Sequence, residues 1–535
     1  MIKISVWINE KLHTISAQPN ELILSALTKQ GIKIPTPCGG NGTCGKCAVD
    51  TSHGVKLACN TPVCDGMEIY LNDIDAKEAI VVQESYESHR NFSYTRTAAG
   101  QANAFGIAID IGTTTLAFEL INMTTGQKIA THTQTNSQRA IGADVVTRIK
   151  QATQGASQKL HEYILEDIQE GIKHCLKKSE LDYADITAVS IAGNTTMLHL
   201  LQDLPCDTLG VFPFTPVDIK MRHCNFSDVF TAVPIDAKLL ILPGISTFVG
   251  ADISAGILCC GGRDSFNQHV SRKGRDSFNQ HSGHKGSDSG SSDISDNVGI
   301  ATANLLIDLG TNGEMALFTN DSVLVTSTAA GPAFEAGNIF MGTASIPGAI
   351  AKVRFLPETN VFIYETINNQ PPIGICGTGV VDIAAQIIRH GLADETGRLE
   401  DDYFDNGVTI ATGITFTQKD IREVQLAKSA VRSGIEILLH EAGLGYEDIN
   451  QVFLAGGFGF RMDMESATDL GLIPKELTGK TIAVGNTSLG GASHVLTCLD
   501  AEASIIAIAN QAKEINLSAH PRFNDLFMEH MMFDA

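Results

Sequence analysis

The strongest constraint on the fold is a phrase that the chain carries twice. Gly106-Ile-Ala-Ile-Asp110-Ile-Gly-Thr-Thr-Thr-Leu-Ala-Phe-Glu-Leu120 runs apolar strand, acidic residue, glycine turn, apolar strand. Asn304-Leu-Leu-Ile-Asp308-Leu-Gly-Thr-Asn-Gly-Glu-Met-Ala-Leu317 repeats it about two hundred residues later. An internal duplication of this kind predicts two related α/β lobes with a ligand between them.

The chemistry of the two turns follows from their residue types. No G-x-x-x-x-G-K-[ST] sequence occurs, so a nucleotide site here is not a P-loop. Backbone amides at a glycine turn can hold phosphate oxygens, with Gly112, Thr113 and Thr114 in the first turn and Gly310, Thr311 and Asn312 in the second. Asp110 and Asp308, at the strand ends, are the expected catalytic carboxylates, placed to hold hydrated Mg2+ on ATP. A third phrase, Leu454-Ala-Gly-Gly-Phe-Gly459, ends another strand, and Gly456 and Gly457 there would let adenosine lie close to backbone. One glycine turn after a strand is ordinary punctuation; three in this order are specific. They resemble the superfamily of acetate and sugar kinases, heat-shock ATPases and actin (the ASKHA fold), and Ser190-Ile-Ala-Gly-Asn-Thr-Thr196 falls where that superfamily's first connecting segment is expected.

Upstream stands a second constellation. Cys38-Gly-Gly-Asn-Gly-Thr-Cys44-Gly-Lys-Cys47 and Cys59 give C-x5-C-x2-C with a later fourth cysteine. Thiolates in a loop of small residues suit a [2Fe–2S] cluster, because the backbone can wrap the cluster and direct amides at its sulfurs. A zinc site from Cys44, Cys47, Cys59 and Cys64 is the rival, and it would leave Cys38 idle. Around these cysteines the pattern predicts strand (3–9), strand (11–17), helix (21–30), cysteine loop and a strand near 67–71, the order of a β-grasp ferredoxin.

The expected fold class is therefore a multidomain α+β and α/β chain. A β-grasp ferredoxin-like domain covers residues 1–74, a flexible linker 75–103, and a duplicated actin-like ATPase core 104–535. Within the core, Gly262-Arg-Asp-Ser-Phe-Asn-Gln-His269 recurs at 274–281 and a Gly/Ser-rich run follows, so residues 262–297 read as a disordered insertion. Its histidines, His269, His281 and His284, read as solvated rather than as metal ligands. Further on, Thr417 caps a helix whose apolar residues Ile421, Val424, Ala427, Val431, Ile435 and Leu438 recur at helical spacing.

Length and charge exclude other classes. A chain of 535 residues holds several domains. With 60 acidic against 38 basic side chains, its charge of −22 repels nucleic acid and anionic membrane. The N-terminus alternates like a strand, without a signal-peptide core, and the expectation is a cytoplasmic protein. The cysteines outside residues 38–64 lack ligand spacing and read as buried thiols.

Cluster domain, tether and ATPase core together resemble the reductive activators of corrinoid-dependent methyltransferases. Gln138-Arg-Ala-Ile-Gly-Ala-Asp144, Ala329-Ala-Gly-Pro-Ala-Phe-Glu335, Ile375-Cys-Gly-Thr-Gly379 and the phrases at 308–314 and 454–459 carry the likeness. It implies an ATP-dependent enzyme that reduces cob(II)amide on a partner corrinoid protein to cob(I)amide, fed by a low-potential donor of ferredoxin or flavodoxin type. It leaves room for a homodimer. A plant-type cluster lies at roughly −400 mV, and each 100 mV uphill costs about 2.3 kcal/mol per electron, so ATP would act by stabilising a complex in which the cobalt potential rises. The alternative is a redox-sensing small-molecule kinase or ATPase of the same superfamily. Only eleven residues separate Cys47 from Cys59, which keeps Cys64 open as fourth ligand. Ser327–Glu335 reads first as interlobe packing, and it is also the candidate partner-facing loop, because its hydroxyls and Glu335 could approach the cofactor.

Overall fold

The computed structural model describes residues 2–8, 11–30, 32, 34, 47–71, 104–262, 303–319, 321–456 and 462–533. The expected linker and the insertion beyond Gly262 lie outside the described residues, as do Cys38, Cys44 and Gly457.

The N-terminal region forms β1 (Ile2–Ile8), β2 (Lys11–Ala17), α1 (Ile23–Thr28), β3 (Ala48–Thr51), β4 (Lys56–Leu57) and β5 (Glu68–Leu71). β1 and β2 pair antiparallel with Ile2 opposite Ala17, and β5 joins β1 in parallel, giving the order β2-β1-β5-β3-β4. Alternation places Ile4, Val6, Ile15 and Ile69 on one face, where Ile23, Ala26 and Leu27 of α1 cover them. This is the expected β-grasp order. The helix is shorter than the expected 21–30 because Glu21 acts as an N-terminal acceptor instead. Its carboxylate takes the Gln18 amide (2.9 Å) and the Ser25 hydroxyl (3.0 Å), and Leu22 bridges to Pro62.

The duplicated phrases fold alike. In the first lobe β6 (Phe105–Ile111), β7 (Thr115–Asn122) and β8 (Lys128–Thr135) form an antiparallel meander, followed by α2 (Val145–Gln151) and α3 (Ser157–Ser179). β9 (Ile186–Gly193) lies parallel to β6, then come α4 (Thr195–Leu201), β10 (Arg222–Asn225), β11 (Lys238–Ile241) and α5 (Ala251–Ile257). The sheet order is β10-β11-β9-β6-β7-β8. Helices cover it on both faces, so β6 and β9 bury nearly every side chain, as their continuous apolar sequences require.

The second lobe opens with β12 (Ala303–Leu309), β13 (Gly313–Phe318) and β14 (Val323–Thr328). Inserted after them are β15 (Ala349–Leu356), β16 (Val361–Thr366), β17 (Gly374–Ile375), α6 (Gly377–Arg389), β18 (Val408–Ala411) and β19 (Ile414–Phe416). α7 (Gln418–Ala442) follows, then β20 (Ile449–Ala455), β21 (Thr481–Gly485), α8 (Thr487–Thr497), α9 (Ala501–Gln511) and β22 (Ala512–Glu514). The main sheet runs β21-β20-β12-β13-β14-β22, with β20 parallel to β12 as β9 is to β6. At α7 the cap is the expected one: the Thr417 side chain accepts from the Asp420 amide and Asp420 reciprocates, and all six periodic apolar residues are buried.

The lobes meet through helices, and Ser190–Thr196 runs from β9 into the start of α4 in the first lobe. α8 leaves the second sheet and packs on the first: the Ser190 hydroxyl donates to the Ala492 carbonyl at 2.8 Å and Ser493 to the Glu119 carboxylate at 2.7 Å. α9 follows it into the same core before β22 returns to pair with β14. Where α8 crosses α5 only a glycine fits, since a Cβ on Gly491 would lie 2.1 Å from the Ala255 carbonyl oxygen.

Candidate nucleotide cleft and cluster site

Of the expected cluster ligands, Cys47 and Cys59 are described, and the β3–β4 pairing brings them together. Ala48 lies opposite Leu57 in that hairpin, so the flanking cysteines fall side by side with their Sγ atoms 3.1 Å apart. That is well beyond the ~2.05 Å of a disulfide and close enough for both to reach one metal atom. Both side chains are buried, whereas Cys64 is exposed. Two buried thiols converging on one point, in a loop that supplies further cysteines, fit an iron–sulfur cluster.

In the cleft, β-sheet register places the two aspartates identically. Asp110 lies opposite Ala117 on the antiparallel side and Ala192 on the parallel side; Asp308 lies opposite Glu314 and Ala455. Each glycine turn closes on itself, with the Gly112 amide donating to Thr115 O and the Gly310 amide to Asn312 O, both at 3.0 Å. The strands beside them end on glycines pressed against the residue after each aspartate. A Cβ on Gly456 (φ +103°) would lie 2.4 Å from Leu309 O, and one on Gly193 (φ +158°) 2.8 Å from Ile111 O.

Several cleft residues were not singled out from sequence. Asn486 Nδ2 and Ser488 Oγ, at the start of α8, each donate to Asp110 at 2.7 Å. Asp252, in the first turn of α5, and Glu314, on β13, add two more half-buried carboxylates. Burial raises all four. For Asp110 the two hydrogen bonds oppose it; for Asp252 the Asp110 charge adds to it, reaching about 7; for Asp308 the Asp252 and Asp110 charges add, reaching about 8. Glu314 is pushed well above the ordinary carboxylate range by burial and then by Asp252, Asp308 and Asp110. Carboxylates in such a place ionise together only beside a cation. Glu314 was legible within a quoted phrase; Asp252, Asn486 and Ser488 come from distant segments with no motif of their own.

The loop at 327–335 is split between packing and the cleft. Ala330, Ala333 and Phe334 pack into the second lobe's core, while Glu335 turns to the cleft and accepts from the Thr311 hydroxyl at 2.6 Å. Burial raises Glu335 and that hydrogen bond opposes it. A separate cluster, His440, Glu441 and His520, sits far along the chain from these turns. His520 Nδ1 accepts from the Arg522 amide, so its Nε2 proton serves Glu441 (3.3 Å), a paired arrangement rather than a free ligand set.

Known proteins combine the same parts. Residues 6–64 match the 2Fe-2S iron-sulfur cluster binding domain, 105–264 the RACo middle region, and 302–535 the C-terminal domain of RACo, the ASKHA domain. The chain is a homologue of the corrinoid reductive activators. It is 28% identical to the corrinoid activation enzyme RamQ of Eubacterium limosum, with 97% of each chain covered. To the [Co(II) methylated amine-specific corrinoid protein] reductase of Methanosarcina barkeri it is 24% identical, over 79% of this chain and 76% of that one. A solved reductive activator for corrinoid, iron-sulfur protein shares the fold across 99% of this chain and 98% of its own, with a TM-score of 0.68 and 24% identity. The [2Fe–2S] and ATPase expectations agree with these matches, and the zinc alternative does not. Among the described residues, no helix is long and apolar enough to cross a membrane.

Proposed function

We propose that this protein reduces the cobalt of a partner corrinoid protein from cob(II)amide to cob(I)amide, one electron at a time, while hydrolysing Mg–ATP between its two lobes. The observation that carries this reading is the presence on one chain of a converging cysteine pair in a ferredoxin-type sheet and a duplicated, carboxylate-lined cleft. The relatives named as corrinoid activators support the corrinoid partner.

Cys38, Cys44, Cys47 and Cys59 would hold the cluster, which supplies a one-electron couple of low potential. Burial of Cys47 and Cys59 keeps water from that pair, and the exposed Cys64 stays outside the set. Asp308, Asp252 and Glu314 would anchor hydrated Mg2+, and the turns at Gly112–Thr114 and Gly310–Asn312 would receive phosphate oxygens. Gly456 and Gly457 would border adenosine. Asp110, fixed by Asn486 and Ser488, would orient water or metal rather than move. Because α8 belongs to one sheet by connection and to the other by packing, closure on ATP would be felt by both lobes.

We read residues 1–74, 75–103 and 104–535 as cluster domain, tether and two-lobed core. The electron donor is of low-potential ferredoxin or flavodoxin type, the compartment the cytoplasm, and a homodimer is the working assembly to test. Anaerobic absorbance of the protein with a cob(II)amide corrinoid protein and a low-potential reductant tests the function. Cob(I) absorption should appear only with Mg–ATP, whereas ATP turnover indifferent to any corrinoid protein would point to the redox-sensing kinase. For the ligand set, Cys59→Ser should abolish the visible [2Fe–2S] spectrum and Cys64→Ser should leave it intact; the reverse would exchange the two.

A further inference from the structure

Arg148, on α2, is fully buried beneath the first glycine turn. Its Nε donates to Gly142 O at 2.8 Å, Nη1 to Gln138 Oε1 at 3.1 Å and toward Met197 Sδ at 3.0 Å, and Nη2 to the Thr113 carbonyl. Every one of these acceptors is neutral. The carboxylates whose charge reaches it are engaged elsewhere: Asp144 accepts from the Thr147 amide (2.7 Å) to cap α2, and Asp167 from the Ser137 amide (2.6 Å) and hydroxyl (2.7 Å). Burying a guanidinium without a bonded anion costs free energy that a neutral side chain would not.

The turn above it explains what this arrangement does. Asn136 Nδ2 donates to Gly112 O at 2.9 Å, and Arg148 donates to Thr113 O. In a planar trans peptide the carbonyl and the following N–H point opposite ways. Pulling those two carbonyls down turns the Thr113 and Thr114 amides up, away from Arg148. Among the described residues neither amide has an acceptor. Two successive upturned amides make an anion-binding concavity, with a cation below it that is hydrogen-bonded to no anion. Asn194 Nδ2 also reaches the Thr113 hydroxyl at 3.1 Å, fixing the side chain of the same residue.

We infer that Arg148 is a positioning residue for the polyphosphate: it orients the first turn's amides and supplies the fixed positive charge that makes this turn prefer a phosphate chain over a neutral ligand. This rests on the nucleotide reading given above. Burial, and then the charge of Arg139, hold the guanidinium down to about 9, so it stays charged at neutral pH.

The test is a phosphate ladder. Mg–ATP, Mg–ADP and adenosine are titrated calorimetrically into wild type, Arg148→Met and Arg148→Lys. The Met variant should bind ATP roughly 30-fold and ADP roughly 10-fold more weakly while adenosine changes less than about twofold, with Lys restoring part of the difference. Equal losses for all three ligands would reduce Arg148 to a scaffold residue, and unchanged binding would remove its role. Should the Met variant fail to fold, Arg148→Gln against Arg148→Lys gives the same comparison, and an identical ladder in those two overturns the inference. A wild-type protein that binds none of the nucleotides would overturn the nucleotide reading itself, a result distinct from variants that bind as wild type does.

Discussion

Asp110 and Asp308 end equivalent strands in equivalent registers, yet their surroundings diverge. Asp110 faces Ala117 and accepts hydrogen bonds from Asn486 and Ser488. Asp308 faces Glu314 and, among the described residues, accepts none. Duplication conserved the backbone and separated the chemistry. One carboxylate is held by neutral donors contributed by α8, while the other lies beside a second acid whose charge a bound cation would offset. On the proposed reading, Asp110 orients while Asp308, with Glu314 beside it and Asp252 from the first lobe, takes the metal.

The largest effect should come from removing the carboxylate proposed to anchor the metal. Asp308→Asn should lower ATP hydrolysis at least ~100-fold, the rate equivalent of about 3 kcal/mol of charge stabilisation, and Asp110→Asn should cost about tenfold less than that. Equal losses, measured by phosphate release, would erase the distinction between halves.

Proton linkage sharpens it. Asp252 and Asp308 carry folded pKa values of about 7 and about 8 against 3.8 ordinarily. Between those limits the folded metal-free protein binds more protons than the unfolded chain, so stability is fullest below about pH 4 from these groups and is lost as pH rises toward 8. Mg2+ must displace those protons, so its stabilising effect grows over the same range. Thermal unfolding with and without Mg–ATP should show a larger Tm shift at pH 8 than at pH 6, and a shift independent of pH would mean that the cluster does not hold the ion.

A smaller effect tests what the halves share. Gly456→Ala and Gly193→Ala each push a Cβ into a strand-end carbonyl, and each should destabilise by about 1–3 kcal/mol in denaturant titration. Gly456 sits nearer its contact and further into the left-handed region, so it should cost more. The smallest is Ser488→Ala, which removes one of two donors to Asp110 and should weaken Mg–ATP by about threefold to tenfold, the worth of a single hydrogen bond of ~0.5–1.5 kcal/mol. No change would mean that Asn486 alone orients the carboxylate.

The sequence made the local elements of this site readable and left its assembly hidden. Strand, acid and glycine turn are specified within a dozen residues, so Asp110, Asp308 and both turns could be placed by reading alone, as could the Thr417 cap, whose partner is three residues away. Asp252, Asn486 and Ser488 lie in stretches with no distinguishing pattern, and they reach the cleft through the crossing of α5 and α8, a contact between segments far apart in the chain. Arg148 stands in no motif and charged side chains are ordinarily exposed, so only tertiary structure reveals that it points inward.

The return of α8 and α9 to the first sheet has a consequence for how the protein is made. A ribosome finishes β6, β9 and α5 long before it reaches the helices that close over them. At ~5–20 residues per second the intervening stretch of about 250 residues takes roughly 10–50 s to emerge. Throughout that interval the apolar faces that will meet Leu489, Ala492, Val495 and Ile505 are uncovered on a nascent chain. The first half to be synthesised is therefore the last to be sealed, and chaperone demand during translation should fall on it.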